Sequence, residues 1–187
     1  MNSDVGIRKW EIKGRRQMKE FGNQQPKTSN TANSSTDSYQ KALNAALRIL
    51  TGRDHSKHEL TRKLNQRGFT PEDVENAVSE CERLDYINDE RTSRAHIRQL
   101  ILKGYGAKRI RQEMNKKGLR GRRIENILSE TVSDTAEREA AERILKKNSK
   151  RFERESDLKK RRGKIYRFLY ARGFPQEIIG ELIAKLG

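Results

Sequence analysis

Nine basic side chains crowd the 31 residues Asn88–Gly118: Arg91, Arg94, Arg98, Lys103, Lys108, Arg109, Arg111, Lys116 and Lys117. Guanidinium and ammonium groups at this density suit one kind of chemistry, the holding of phosphate or carboxylate oxygens. On a helix, Arg109, Gln112 and Lys116 fall along one row and Lys108, Arg111 and Asn115 along the next, both away from Ile110 and Met114. Arg120, Arg122 and Arg123 carry the patch onto a following helix, whose N-terminal dipole also favours anions. A second run, Lys159, Lys160, Arg161, Arg162 and Lys164, stands farther along. With Arg98, Lys103 and Lys117, these are the candidate contacts for an anionic partner. A solvated helix face has the same look, so density alone does not separate the two. Tyr105, between Gly104 and Gly106, can stack on a base or pack on a core, and packing is the commoner use.

Patterns for catalysis are missing. There is no glycine-rich phosphate loop with its lysine, no nucleophile elbow and no zinc-protease motif. His55 and His58 are three residues apart and His96 is distant, with nothing to complete a metal site. The single cysteine, Cys81, excludes an intramolecular disulfide, and its helical spacing from Val74, Ala77 and Val78 marks a core thiol. The chain reads as a binding protein and not an enzyme, without cofactor or metal.

Composition agrees. Of 187 residues only 32% are hydrophobic and 36% are charged, which disfavours one large core and favours small bundles with thin apolar seams. The formal net charge is +16, which suits a polyanion or an acidic protein surface. Residues 1–38 carry +3, 39–88 are balanced, 89–132 carry +7 and 133–187 carry +6. No stretch approaches the roughly 20 apolar residues that cross a bilayer, and no apolar signal core opens the chain. A cytoplasmic monomer that does not enter a membrane is expected.

The elements that must position these groups are helices. Ala42, Leu43, Ala46, Leu47 and Leu50 make one apolar stripe. Ser56 and Glu59 have capping-box spacing before Leu60 and Leu64, and Thr70-Pro71 opens a third helix through Val74–Leu84. Ala95, Ile97, Leu100 and Ile101, then Ala107, Ile110 and Met114, repeat the scheme, with Asn88 and Asp89 able to cap the first of these helices.

Three glycines reveal the plan. Gly68, Gly118 and Gly173, 50 and 55 residues apart, each follow apolar residues at −8 and −4 and precede others at +1, +6 and +10. The sets are Leu60, Ile110, Ile165; Leu64, Met114, Leu169; Phe69, Leu119, Phe174; Val74, Ile124, Ile179; and Val78, Leu128, Ile183. This is an internal repeat. The expected fold is all-α, three tandem helix-turn-helix-like three-helix repeats in an elongated, curved array: 39–87, 88–132 and 133–187. Residues 1–38 are expected to be a flexible basic arm and linker.

The segments Tyr86-Ile87-Asn88-Asp89-Glu90-Arg91, Lys103-Gly104-Tyr105-Gly106, Arg109–Met114 and Lys117-Gly118 resemble the central signature of the bacterial RecX regulatory proteins. Arg53, Ser56, Glu59-Leu60, Leu64 and Arg67-Gly68-Phe69, with Arg172-Gly173-Phe174, resemble that family's first and last repeats. The likeness covers about Tyr39–Gly187. One departure stands out: Thr92-Ser93 replaces the family's usual aromatic–alanine pair, which thins the local seam. The resemblance implies tandem three-helix repeats in a crescent lying in the groove of the RecA filament on single-stranded DNA. There such proteins suppress ATP hydrolysis and strand exchange and limit repressor self-cleavage. The partner implied is the RecA filament, with single-stranded DNA reached through it. The competing reading is a helical protein or transcriptional regulator that binds DNA directly.

Overall fold

A computed structural model describes residues 33–185, which contain helices and turns and no strand. The helices are α1 (Asn33–Leu50), α2 (Lys57–Asn65), α3 (Pro71–Arg83), α4 (Asp89–Leu102), α5 (Ala107–Lys116), α6 (Arg122–Thr131), α7 (Asp134–Lys147), α8 (Ser149–Glu153), α9 (Leu158–Ala171) and α10 (Gln176–Ala184). They form two compact units, one ending at Asp89 and the other starting at Glu90.

In the first unit, Ala42, Ala46 and Ile49 of α1 meet Leu60 and Leu64 of α2 and Val74, Ala77, Val78 and Cys81 of α3. Buried alanines on both α1 and α3 present little side-chain bulk, which lets helix axes approach closely. Leu43, Leu47 and Leu50, placed on the stripe by their spacing, pack at its margin instead. The capping box at α2 forms as its spacing predicts: Ser56 Oγ accepts from Glu59 N at 3.1 Å, and Glu59 Oε2 accepts from Ser56 N at 3.2 Å. At α3, Thr70 Oγ1 accepts from Asp73 N at 3.2 Å ahead of Pro71. Cys81 is fully buried, and burial, helped by the Glu80 charge, pushes its thiol up to about 12. One expectation is corrected. Helix α1 starts at Asn33, so the segment read as linker through Ser38 is helical at its C-terminal end. The rest of that arm, residues 1–32, lies outside the described residues.

The second unit holds two apolar clusters. The first joins Ile97 and Leu100 of α4, Ile110 and Met114 of α5, Leu119, and Ile124, Ile127 and Leu128 of α6. The second joins Ala140 and Ala141 of α7, Phe152 of α8, Ile165 and Leu169 of α9, and Phe174, Ile178, Ile179 and Leu182. Thr92 and Ser93 of α4 are buried despite their hydroxyls. Short α8 was not visible as a helix in the sequence, and it inserts Phe152 edge-on against Phe168 at 5.3 Å between ring centres.

The repeat found in the sequence is a repeat in space. Gly68, Gly118 and Gly173 have φ of +81°, +73° and +82°, each just past the end of a helix whose apolar residues enter a core. Among the described residues no helix is long and apolar enough to cross a membrane.

Candidate anion-binding surface

The basic side chains of the α5 rows take different partners. Arg109 is half-buried and turns toward Tyr105, its guanidinium 5.7 Å from the ring centre, while its Nη2 lies 3.0 Å from Glu113 Oε1. Arg111, two residues on, points the other way and pairs with Glu125 of α6 at 3.0 Å. Lys116 pairs with Glu113 at 2.9 Å. Glu113 is held below the ordinary glutamate range, first by the Lys116 hydrogen bond and then by the charges of Lys116, Arg109 and His96. Lys117 caps α5 and is half-buried.

Other predicted residues divide between paired and open. Arg123 pairs with Glu90, and Lys164 with Glu155. Arg120 donates to Asn115 O at 3.3 Å and Arg161 to Glu155 O at 2.8 Å. Lys108 sits 5.4 Å from the centre of Tyr170, which itself stacks on Tyr166 at 5.8 Å. Arg98, Lys103, Arg122, Lys159 and Lys160 are exposed, and Arg162 is half-buried. Exposed pairs of the kind made by Arg111 are each worth roughly 0–1 kcal/mol, so they trim the positive field without abolishing it.

The fold also brings together residues that the sequence did not mark. A groove of about 910 Å³ in the second unit is lined by Tyr105, Arg109, Arg151, Phe152, Arg154, Lys164, Arg167, Phe168, Ala171 and Arg172. Arg172 lies over Phe168 at 4.5 Å and within 5.9 Å of Tyr105, and its Nη1 donates to Lys103 O at 3.4 Å. Arg151 lies 5.7 Å from the Phe168 centre. Of the lining cations, sequence reasoning pointed only to Arg109 and Lys164. The signal for the others was the i, i+3, i+4, i+7, i+8 spacing of Lys164, Arg167, Phe168, Ala171 and Arg172 along α9 and its cap, a basic-aromatic face.

Backbone contacts hold the groove's walls. Gly106 N donates to Arg172 O at 2.9 Å and Lys108 N to Gly173 O at 3.3 Å. A Cβ on Gly106 would stand 2.5 Å from Gly173 O, and one on Gly173 2.4 Å from Arg109 N. Gly106 offers no side chain to cap α5. Glu137, from α7, takes over: its Oε1 accepts from Ala107 N at 2.6 Å. The same device recurs in the first unit, where Asp89 Oδ1 accepts from Lys57 N, the first residue of α2, at 2.9 Å. Burial is the first cause that raises both carboxyls above their ordinary values.

Among the described residues no group of three or more His, Cys, Asp or Glu side chains is placed to hold a metal ion. What the surface offers is oriented positive charge.

Known proteins share both the sequence and the fold. A family model described as the first three-helix domain of RecX matches residues 42–81, and one for its third three-helix domain matches residues 136–183. The chain is 37% identical over 147 residues to the regulatory protein RecX of Legionella pneumophila, covering 78% of this chain and 95% of that one. It is 30% identical over 145 residues to the RecX of Haemophilus influenzae, covering 77% and 93%. The crystal structure of RecX from Lactobacillus salivarius superimposes with a TM-score of 0.71 at 25% identity, over 81% of this chain and 97% of that one. A second RecX crystal structure reaches 0.74 at 20% identity and supports the fold.

Proposed function

The chain belongs to the RecX family, and from that premise we propose that it regulates RecA by lying in the groove of the RecA filament on single-stranded DNA and inhibiting it. The observation that carries this reading is the uneven charge. Residues from Glu90 onward hold 27 Lys and Arg against 13 Asp and Glu, a net +14, whereas those up to Asp89 hold only +2. A long anionic track would be met chiefly by the second unit, leaving the first for protein contacts or scaffolding. Several weak patches on one chain raise each other's effective concentration, so modest contacts sum to firm binding. On this reading the protein acts as a cytoplasmic monomer in recombination, DNA repair and the SOS response, and it performs no catalysis.

The test uses cations that make no ion pair among the described residues. A folded Arg122→Glu/Lys159→Glu/Lys160→Glu protein should inhibit the DNA-dependent ATPase of RecA about tenfold less well than the wild type. Undiminished inhibition removes this surface from the mechanism. Capture on bare and on RecA-coated single strands separates the reading from direct DNA binding: preference for the coated strand supports it, and preference for bare DNA supports the competitor.

A further inference from the structure

We propose that the notch between α1 and α3 of the first unit is a docking site for the chain's own basic segment, residues 5–21, with Trp10 in the notch and its neighbouring cations on the acidic outer face of α3. The inference goes beyond the reading above and does not depend on it.

The notch, of about 320 Å³, is lined by Tyr39 of α1 and by Asn76, Ser79, Glu80 and Arg83 of α3. Tyr39 is half-buried and packs against the apolar core of the unit, so its ring supplies an apolar wall. Glu72, Glu75, Asn76 and Ser79, spaced i, i+3, i+4 and i+7, are all exposed and share one face of α3. The helix holds five Asp and Glu and a single base, Arg83, which Glu80 engages at 2.7 Å. Glu72 and Glu75 make no ion pair among the described residues. In a chain of net charge +16, residues 33–89 carry 10 Asp and Glu against 8 Lys and Arg.

An occupant of this surface must be basic and must bring an apolar group for the notch. Residues 5–21 bring both: six Lys and Arg against two Glu, with Ile7, Trp10 and Ile12 among them. They are also tied to the surface. Ser38 Oγ donates to Asp73 Oδ2 at 2.6 Å, so the chain enters α1 beside the first turn of α3. From Tyr39 back to Asn33 is about 9 Å along the helix. Residues 22–32 reach up to about 36 Å when extended, enough to return the segment to the notch. A tether of that length gives roughly millimolar effective concentration, so exposed ion pairs that are weak one by one suffice. A second copy offers the same segment without the tether. Docked in this way, the six cations are engaged by the chain's own acids and not by an outside polyanion.

Trp10 is the chain's one tryptophan, so its emission reports on this segment alone. In the full chain, Ser79→Cys takes a nitroxide label selectively, because Cys81 is fully buried. That label should quench Trp10 emission by about half or more. A label on Arg48→Cys, about 14 Å farther along α1 from Tyr39, should quench it by about a tenth or less. Glu72→Lys/Glu75→Lys should relieve the quenching from position 79 about twofold or more. Glu139→Lys/Glu153→Lys, the same charge change on exposed residues of the second unit, should leave it within about a fifth. Melting curves confirm that each variant folds. Quenching should be unchanged on about hundredfold dilution, because the contact lies within one chain. Quenching no greater from position 79 than from 48, relief no greater from the Glu72 pair than from the Glu139 pair, or quenching that fades on dilution, as a second copy's segment in the notch would give, would each overturn the proposal.

Discussion

Glu137 shows what one residue can do that its own stretch of sequence does not mark. It lies in the first turn of α7, where an acid commonly faces water and the helix dipole. In the structure it is buried and caps another helix through Ala107 N. By contrast, the Ser56–Glu59 box was legible, because both partners lie within one turn and their reach is fixed by local geometry. Burial raises the Glu137 carboxyl above the ordinary glutamate range, so between the ordinary and the native value the folded chain holds a proton that the unfolded chain has released. Its contribution to stability therefore falls as pH rises through that window. Glu137→Gln keeps an acceptor oxygen and removes the charge that burial opposes. It should melt at or above the wild type at about pH 7, and the difference should shrink as pH falls and the wild-type carboxyl takes up its proton. Glu137→Ala leaves the Ala107 N–H without its acceptor and should cost about 1–3 kcal/mol across that range. Thermal melts of the three proteins decide it; a Gln variant as unstable as the Ala variant would show that the charge itself is needed.

At the scale of elements, the helices and their apolar faces were readable because each is a local pattern repeated three times. Five apolar positions around each glycine lead into a core, and the helix missed was α8, whose five residues are too few for a period to register. What no repeat could reveal is that equivalent glycines do unequal work. Gly68 has φ +81° and nothing within 4 Å of where a Cβ would stand, so only its backbone conformation resists a side chain. Gly173, at φ +82°, also touches the start of α5, and Gly106 faces it with the Cβ site 2.5 Å from a carbonyl oxygen. Gly68→Ala should therefore cost about 1–2 kcal/mol, the strain of a left-handed residue. Gly106→Ala must push apart backbone segments that are hydrogen-bonded to each other and should cost about 3 kcal/mol, the upper end of overpacking. Hydrogen exchange locates the damage: the Gly106 variant should lose protection in residues 90–185 and keep it in 33–89. Loss spread evenly over both would show that this contact does not act locally.

For the whole molecule, segment charge could be counted from the sequence, but the division between spent and available charge could not. Arg94 meets Glu130, Arg123 meets Glu90 and Arg138 meets Glu181, partners separated by more than a helix in the chain. That division alters how the proposed function should be probed. Reversing Arg111 would set a carboxylate against Glu125, and reversing Lys116 would do so against Glu113, so any lost inhibition would mix repulsion within the fold with a lost contact. Lys159 and Lys160 sit exposed on the first turn of α9, and Arg122 on that of α6, and none of the three makes an ion pair among the described residues, although the Lys160 charge is felt by Glu155. If these cations meet a polyanionic filament, the concentration needed for half-inhibition of RecA should climb steeply with added salt, because each phosphate contact releases counterions. Removing three contacts by Arg122→Ala/Lys159→Ala/Lys160→Ala should lower the log–log salt slope by about 2, at roughly 0.7 per contact on single strands. The comparison is informative even where the inhibition measured at one salt concentration is weak, since slope counts contacts and intercept measures their sum. An unchanged slope in the folded triple variant would place the filament on another face of the molecule.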